Sequence, residues 1–127
     1  MTFIERKIIF HGDYFLNFYI EQTAKVQEKI EYVLRIVRQV ERVPKTFLQH
    51  MEGTEGLYEI RVEYGSNIFR IFSCFDEDNL VILFNGFQKK TQKTPKDELN
   101  LAKRLMKEYV DLKNKESEKQ KRRHKKS

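Results

Sequence analysis

Between Phe3 and Phe10 (FIERKIIF) charged residues give way to three consecutive apolar ones, a run of strand length. From Asp13 to Glu41 neither Gly nor Pro occurs. Apolar side chains return there at Tyr14, Phe15, Phe18 and Tyr19, then at Val26, Ile30, Val33, Leu34 and Val37, the three-and-four spacing of a helix face. Thr23 is a natural N-cap between the two stripes, which predicts two amphipathic helices, although one bent helix has the same pattern. Pro44 closes the second stripe, and the stretch to Gly56 reads as a loop with room for one helical turn at Phe47 to Met51. The period then switches to two. Leu57 to Tyr64 (LYEIRVEY) puts Tyr58, Ile60, Val62 and Tyr64 on one side and Glu59, Arg61 and Glu63 on the other. Turn residues at 65–67 and 76–79 separate it from Ile68 to Phe75 and Leu80 to Phe87, giving an antiparallel meander. Thr94-Pro95, followed by Asp97 and Glu98, opens a last helix whose stripe (Leu99, Ala102, Met106, Tyr109, Val110) gives out near Leu112. The order β-α-α-β-β-β-α predicts an α+β domain. Helices are expected on one face of a mainly antiparallel sheet, two N-terminal ones packed there and a C-terminal one joining the body, with the other face free for binding.

The chain has 127 residues, which favours one domain, and 39 % apolar residues, which excludes wholesale disorder. Its longest apolar runs fall far short of the ~20 residues of a membrane span. Met1-Thr2-Phe3 leads directly into charge, unlike a signal peptide, so a soluble, cytoplasmic protein with no membrane partner is expected. One Cys and three scattered His give neither a disulfide nor a zinc-ligand spacing, and no metal or other cofactor is expected. The net charge of +6 is unevenly placed. Residues 113–127 hold eight Lys or Arg and two acids, leaving 17 basic and 17 acidic residues in 1–112. The division is therefore a domain over 1–112 and a basic tail over 113–127. Having no apolar side chain to bury, the tail is expected to be disordered or frayed. It reads equally as a phosphate contact or as a solubilising end.

Two groups of residues carry candidate chemistry. Glu59 and Arg61 are two apart on one strand and share a side, with Arg70 on the neighbouring strand. An ordinary Glu59–Arg70 cross-strand ion pair explains these residue types as well as a site does. The second group is GFQKKTQKTP, Gly86 to Pro95, which brings Lys89, Lys90 and Lys93 to the start of a helix, where dipole and ammonium groups favour phosphate. A solvated basic loop is the plain alternative. Tyr58, Tyr64, Phe69 and Phe87 offer rings for base stacking, though strand aromatics usually serve the core. His11 and His50 stand in no triad and read as surface residues, and Cys74, within a strand, reads as a small buried group.

The run Gly56 to Tyr109 resembles the HigB-type, phage-derived Gp49-like branch of the RelE/ParE toxin superfamily. The resemblance lies in the Leu-Tyr-Glu-Ile-Arg strand, the Phe69-Arg70 pair, GFQKKTQKTP, and Ala102 and Arg104 on the last helix. Residues 3–55 agree in pattern only, and 113–127 lie beyond it. The resemblance implies a compact RelE-like fold, a helix-turn-helix antitoxin as partner, and metal-independent mRNA cleavage, commonly on the ribosome. Carried over by position, Glu59, Arg61, Arg70, Lys89 and Lys90 match the family's polar signature and are the candidate catalytic residues. Arg61 and Arg70 would clamp phosphoryl oxygens, Lys89 or Lys90 would hold the backbone or protonate the leaving oxygen, and Glu59 is the candidate base. Tyr58, Lys93, Lys121, Arg122 and Arg123 are the candidate RNA contacts. The alternatives are a ParE-like poison of DNA gyrase and a noncatalytic RNA- or protein-binding module.

Overall fold

A computed structural model of the chain describes residues 2–77, 79–91 and 93–125. β1 (Lys7–Phe10) is followed by α1 (Tyr14–Ile20) and α2 (Ala24–Gln39). β2 (Leu48–His50), β3 (Tyr58–Tyr64), β4 (Asn67–Asp76) and β5 (Leu80–Lys89) follow, then α3 (Lys96–Lys125). The strands form one sheet in the order β1-β5-β4-β3-β2. The meander β3-β4-β5 is antiparallel, while β1 runs parallel to β5, as the intervening helices allow.

The two N-terminal helices are separate. Thr23 Oγ1 accepts from the Val26 amide at 3.3 Å, satisfying one orphan donor of the first turn of α2. At the other end of α2, Arg6 donates to the carbonyl oxygens of Val37, Val40 and Glu41 at 2.6–2.7 Å. The guanidinium thereby closes the negative end of the helix dipole. Phe47 to Met51 does not form a helical turn. Leu48–His50 is a short edge strand on β3, too brief to show a period of its own.

Two cores lie on opposite faces of the sheet. Ile60, Val62, Ile71, Val81 and Leu83 meet Phe15, Phe18, Val26, Ile30, Val33 and Val37 from α1 and α2. On the other face Phe72, Cys74, Ile82, Phe84 and Phe87 meet Ala102 and Leu105 of α3. That second face, expected to be open, is thus half covered. Tyr109 holds α3 down by donating to Asp76 Oδ2 at 2.5 Å, Lys113 pairs with the same carboxylate, and His11 Nε2 lies 3.2 Å from Glu108 Oε1. His11 is therefore wedged between β1 and α3, edge-on to Phe84 and Tyr109, and is not a plain surface residue.

From Lys113, in the stretch expected to be disordered or frayed, the backbone stays helical as far as Lys125. The apolar stripe gauges apolar packing, which ends there, the Lys113–Asp76 pair being the last tie to the body among the described residues. Lys, Arg, Glu and Gln are good helix formers, no Gly or Pro interrupts them, and extension of an existing helix carries no nucleation cost.

A break in the β4–β5 register decides the lower end of the open face. Ile71 is opposite Gly86, but Ser73 is opposite Leu83, so β5 carries one extra residue. Phe84 and Phe87, three apart, consequently belong to the same core. Gly86 turns toward α1, where a Cβ would come within 2.5 Å of the Phe18 ring, so only glycine fits.

Candidate functional site

Alternation on β3 and β4 puts Glu59, Arg61, Ile68 and Arg70 on the α3 face, at the end of the sheet that α3 leaves uncovered. Arg61 is directly opposite Arg70, and Ile68 directly opposite Lys89. The register break is what brings Lys89 onto this face, since simple alternation from Phe84 would have selected Lys90. Arg61, Ile68, Arg70, Lys89, Lys90 and Thr91 line an open cavity of about 550 Å³.

Like charges directly opposite on neighbouring strands repel, and this sheet tolerates them by partial neutralisation. Glu59, whose side chain is 5 % exposed, pairs with Arg70, and the more exposed Glu63 pairs with Arg61. The Glu59–Arg70 ion pair that residue types alone made plausible is therefore real. Two carboxylates balance two of the four cations, and Lys89 and Lys90 are the surplus. The Nε atoms of Arg61 and Arg70 are buried with no hydrogen-bond partner among the described residues. Burial lowers the Arg70 pKa. Lys89 is lowered too, first by burial and then by the nearby charges of Arg70 and Arg61. An added anion relieves the repulsion among these cations and favours their charged forms.

The remaining predicted residues fall outside this cleft. Tyr58 points to the opposite side of β3, against His50 and Phe75 at ring separations of 5.3 and 5.1 Å. Lys93 is exposed on the following loop, where its carbonyl accepts from the Thr91 hydroxyl at 2.9 Å. Lys121 and Arg122 are exposed on the outer part of α3, and Arg123 continues that helix. Cys74 is buried, and burial, with Asp76 adding to it, pushes its thiol up to about 12, which removes it as a nucleophile. Among the described residues no three of His, Cys, Asp and Glu are grouped to hold a metal ion.

A family model described as phage derived protein Gp49-like matches residues 19–107, most of the domain and every residue of the cleft. The chain belongs to the Gp49-like family. This is the branch of the RelE-type toxins that the β3 strand and the GFQKKTQKTP segment resemble. No curated protein matches this Gp49-like chain. Among solved structures it is similar to a chain of the archaeal RelE-RelB complex from Pyrococcus horikoshii OT3. The two share 16 % identity at a TM-score of 0.49, over 65 % of this chain and 93 % of the other. Among the described residues no helix is long and apolar enough to cross a membrane.

Sequence reasoning overlooked Ile68 and Thr91 in the cavity wall. Thr91 belonged to the basic segment but carried no charge to single it out, and Ile68 read as core.

Proposed function

We propose that this Gp49-like protein is the toxin of a toxin–antitoxin pair, partnered by a helix-turn-helix antitoxin, and that it cleaves mRNA without a metal ion. The observation that carries this reading is Arg61 placed opposite Arg70 beside Lys89, an arrangement that costs stability unless something anionic is bound. RNA supplies that anion at every linkage.

In the reaction the 2′-OH attacks the adjacent phosphorus, a P–O bond forms, and the bond to the 5′ oxygen breaks. The products are a 2′,3′-cyclic phosphate and a 5′-OH end. Extra negative charge builds on the equatorial oxygens of the phosphorane, where Arg61 and Arg70 act as fixed, always-charged donors. The attacking hydroxyl must lose a proton and the leaving oxygen must gain one. Lys89 is suited to one transfer, since its lowered pKa brings it closer to neutral pH than an ordinary lysine. Lys90, on the rim, holds the neighbouring backbone. Glu59, first considered as the base, is enclosed and engaged with Arg70, so it acts by positioning that guanidinium. The basic outer helix, including Lys121, Arg122 and Arg123, with Lys93, adds sequence-independent phosphate contacts to mRNA and to the ribosome.

Inducible expression followed by mapping of RNA 5′ ends tests the proposal. New ends with the natural chain, absent with Arg61→Gln/Arg70→Gln, are the expected result. Growth arrest with intact transcripts and damaged chromosomes overturns it in favour of a gyrase poison.

A further inference from the structure

Helix α2 has more apolar surface than its core face accounts for. Val26, Ile30, Val33 and Val37 are buried against the sheet, the single stripe that folding asks of an amphipathic helix. On its outer flank Tyr32 and Ile36, four apart, form a second line that runs on to Val40. With Phe3, Pro44 and Phe47 they wall a groove of about 340 Å³. The Phe3 ring is 70 % exposed and Tyr32 is half-exposed, so contiguous apolar surface is left uncovered, as at sites where proteins dock. The Phe3 backbone is held in place. Phe3 bridges to Val40, and the Ile4 amide donates to the Gln39 carbonyl at 2.8 Å.

The charges around this groove select its occupant. Its lining holds one charged residue, Arg35, which is exposed and has no carboxylate partner among the described residues. Tyr32 also borders an open hollow with Lys25, Glu28 and Lys29, and Lys29 Nζ lies 4.9 Å from the centre of the Tyr32 ring. Groove and hollow together present three cations, while Glu28, the one carboxylate in their lining, is already 4.0 Å from Lys25. A second copy of this chain fits poorly, because a two-fold contact sets the patch against itself and brings like charges together. RNA fits no better, since phosphates would leave water for an apolar floor with one guanidinium to receive them. A protein segment that inserts large apolar side chains and places Asp or Glu beside them satisfies both the floor and the rim.

We infer that the groove, with the basic hollow beside it, is the docking surface for a protein partner that presents an acidic amphipathic segment. Its apolar anchors sit among Phe3, Ile36 and Phe47, and its carboxylates meet Arg35 and Lys29. On the toxin–antitoxin reading proposed above that partner is the antitoxin, and the inference rests on that reading for the partner's identity alone. The groove lies on the α2 side of the sheet and the cationic cleft on the α3 side, so the two can be altered separately.

The test selects a random peptide library, displayed on phage, against the full chain. Selected peptides are then synthesised and their affinities measured by fluorescence anisotropy at fixed salt. Phe3→Ser and Arg35→Glu, both at exposed positions outside the cleft, are the variants, with folding checked by circular dichroism. The peptides are expected to combine large apolar residues at spacings of three and four with Asp and Glu. Phe3→Ser should weaken them about tenfold, a typical worth for one aromatic anchor, and Arg35→Glu by a similar factor. Lys in place of the acids should abolish binding to the natural chain. A peptide held by charge alone, at the cleft or on the outer part of α3, would keep its affinity in Phe3→Ser. That outcome, peptides without acidic residues, or no selected peptide overturns the inference. A dimer in sedimentation velocity that Phe3→Ser dissolves overturns it in favour of a second copy, and RNA binding lost in Phe3→Ser overturns it in favour of RNA. End mapping is independent of this selection. New 5′ ends with no selected peptide would discard the groove and keep the nuclease. A groove peptide without new ends would keep the docking surface and discard the antitoxin as its occupant.

Discussion

Arg6 and Arg70 are both 9 % exposed, and both have pKa values lowered chiefly by burial, yet their surroundings are built to different ends. Arg6 gives its donors to three carbonyls at the end of α2 and lays its guanidinium 5.5 Å from the centre of the Phe75 ring. Glu41 opposes the effect of burial on it, and the helix dipole complements it. Arg70 has one carboxylate, a second arginine directly across the strand pair, a lysine beside it and an unpartnered Nε. A buried charge by itself therefore says little about function. The informative quantity is what remains unsatisfied around it, and here the deficit is an anion.

Substitutions that exchange the two environments test this contrast. The largest effect is expected for Arg70→Gln, with cleavage falling about 100- to 1,000-fold as one transition-state donor is lost. The single change also strands Glu59, so Glu59→Gln/Arg70→Gln should recover stability without recovering cleavage, as judged by urea unfolding beside an end-mapping assay. Recovery of cleavage in the double variant would remove Arg70 from the site.

Glu59→Gln alone leaves the Arg70 guanidinium enclosed among cations, and a loss of about 3–5 kcal/mol is expected in urea unfolding. A loss below 1 kcal/mol would mean that the pair contributes as little as a surface one.

Arg6→Met should destabilise by about 2–3 kcal/mol, through helix-end carbonyls left without donors. Cleavage per folded molecule should not change, since the residue belongs to the helix end alone. A cleavage defect in material shown to be folded would link the two arginines.

The smallest effect concerns Lys89. Its folded-state pKa lies below the unfolded value near 10.5, so the native form releases its proton first and the unfolded state binds more protons between the two values. Stability should therefore rise with pH across that window, and the penalty should be fully present below it. Lys89→Met is expected to flatten this rise and to stabilise the protein slightly at neutral pH, as followed by the unfolding midpoint against pH. A steeper rise in the variant would contradict the repulsion described in the cleft.

Much of the architecture was readable before any coordinates. The two helix stripes separated by Thr23, the alternation in LYEIRVEY and the turn residues of the meander each express a local period that the fold then uses. The strand at Leu48–His50 was not readable, because three residues contain no period and their pairing partner lies ten residues away on β3. How far α3 runs past Leu112 was not readable from the apolar stripe, which marks where a helix packs and not where it ends, since local propensity is enough to continue one. In the site, Arg61, Arg70, Lys89 and Lys90 do converge, while Tyr58, added to them by the family resemblance, lies on the other side, as the alternation of LYEIRVEY already had it.

The chain by itself determined the types of the longer elements, the α+β class, the concentration of charge beyond Leu112 and the identities of the cationic residues, since these follow from local spacing and composition. Tertiary structure decided which of those cations face one another. A single extra residue in β5 inverts the sides of the strand, selects Lys89 and opens Gly86 to the Phe18 ring. No local rule marks where such a residue is inserted, because its position is set by how two packed cores share one strand.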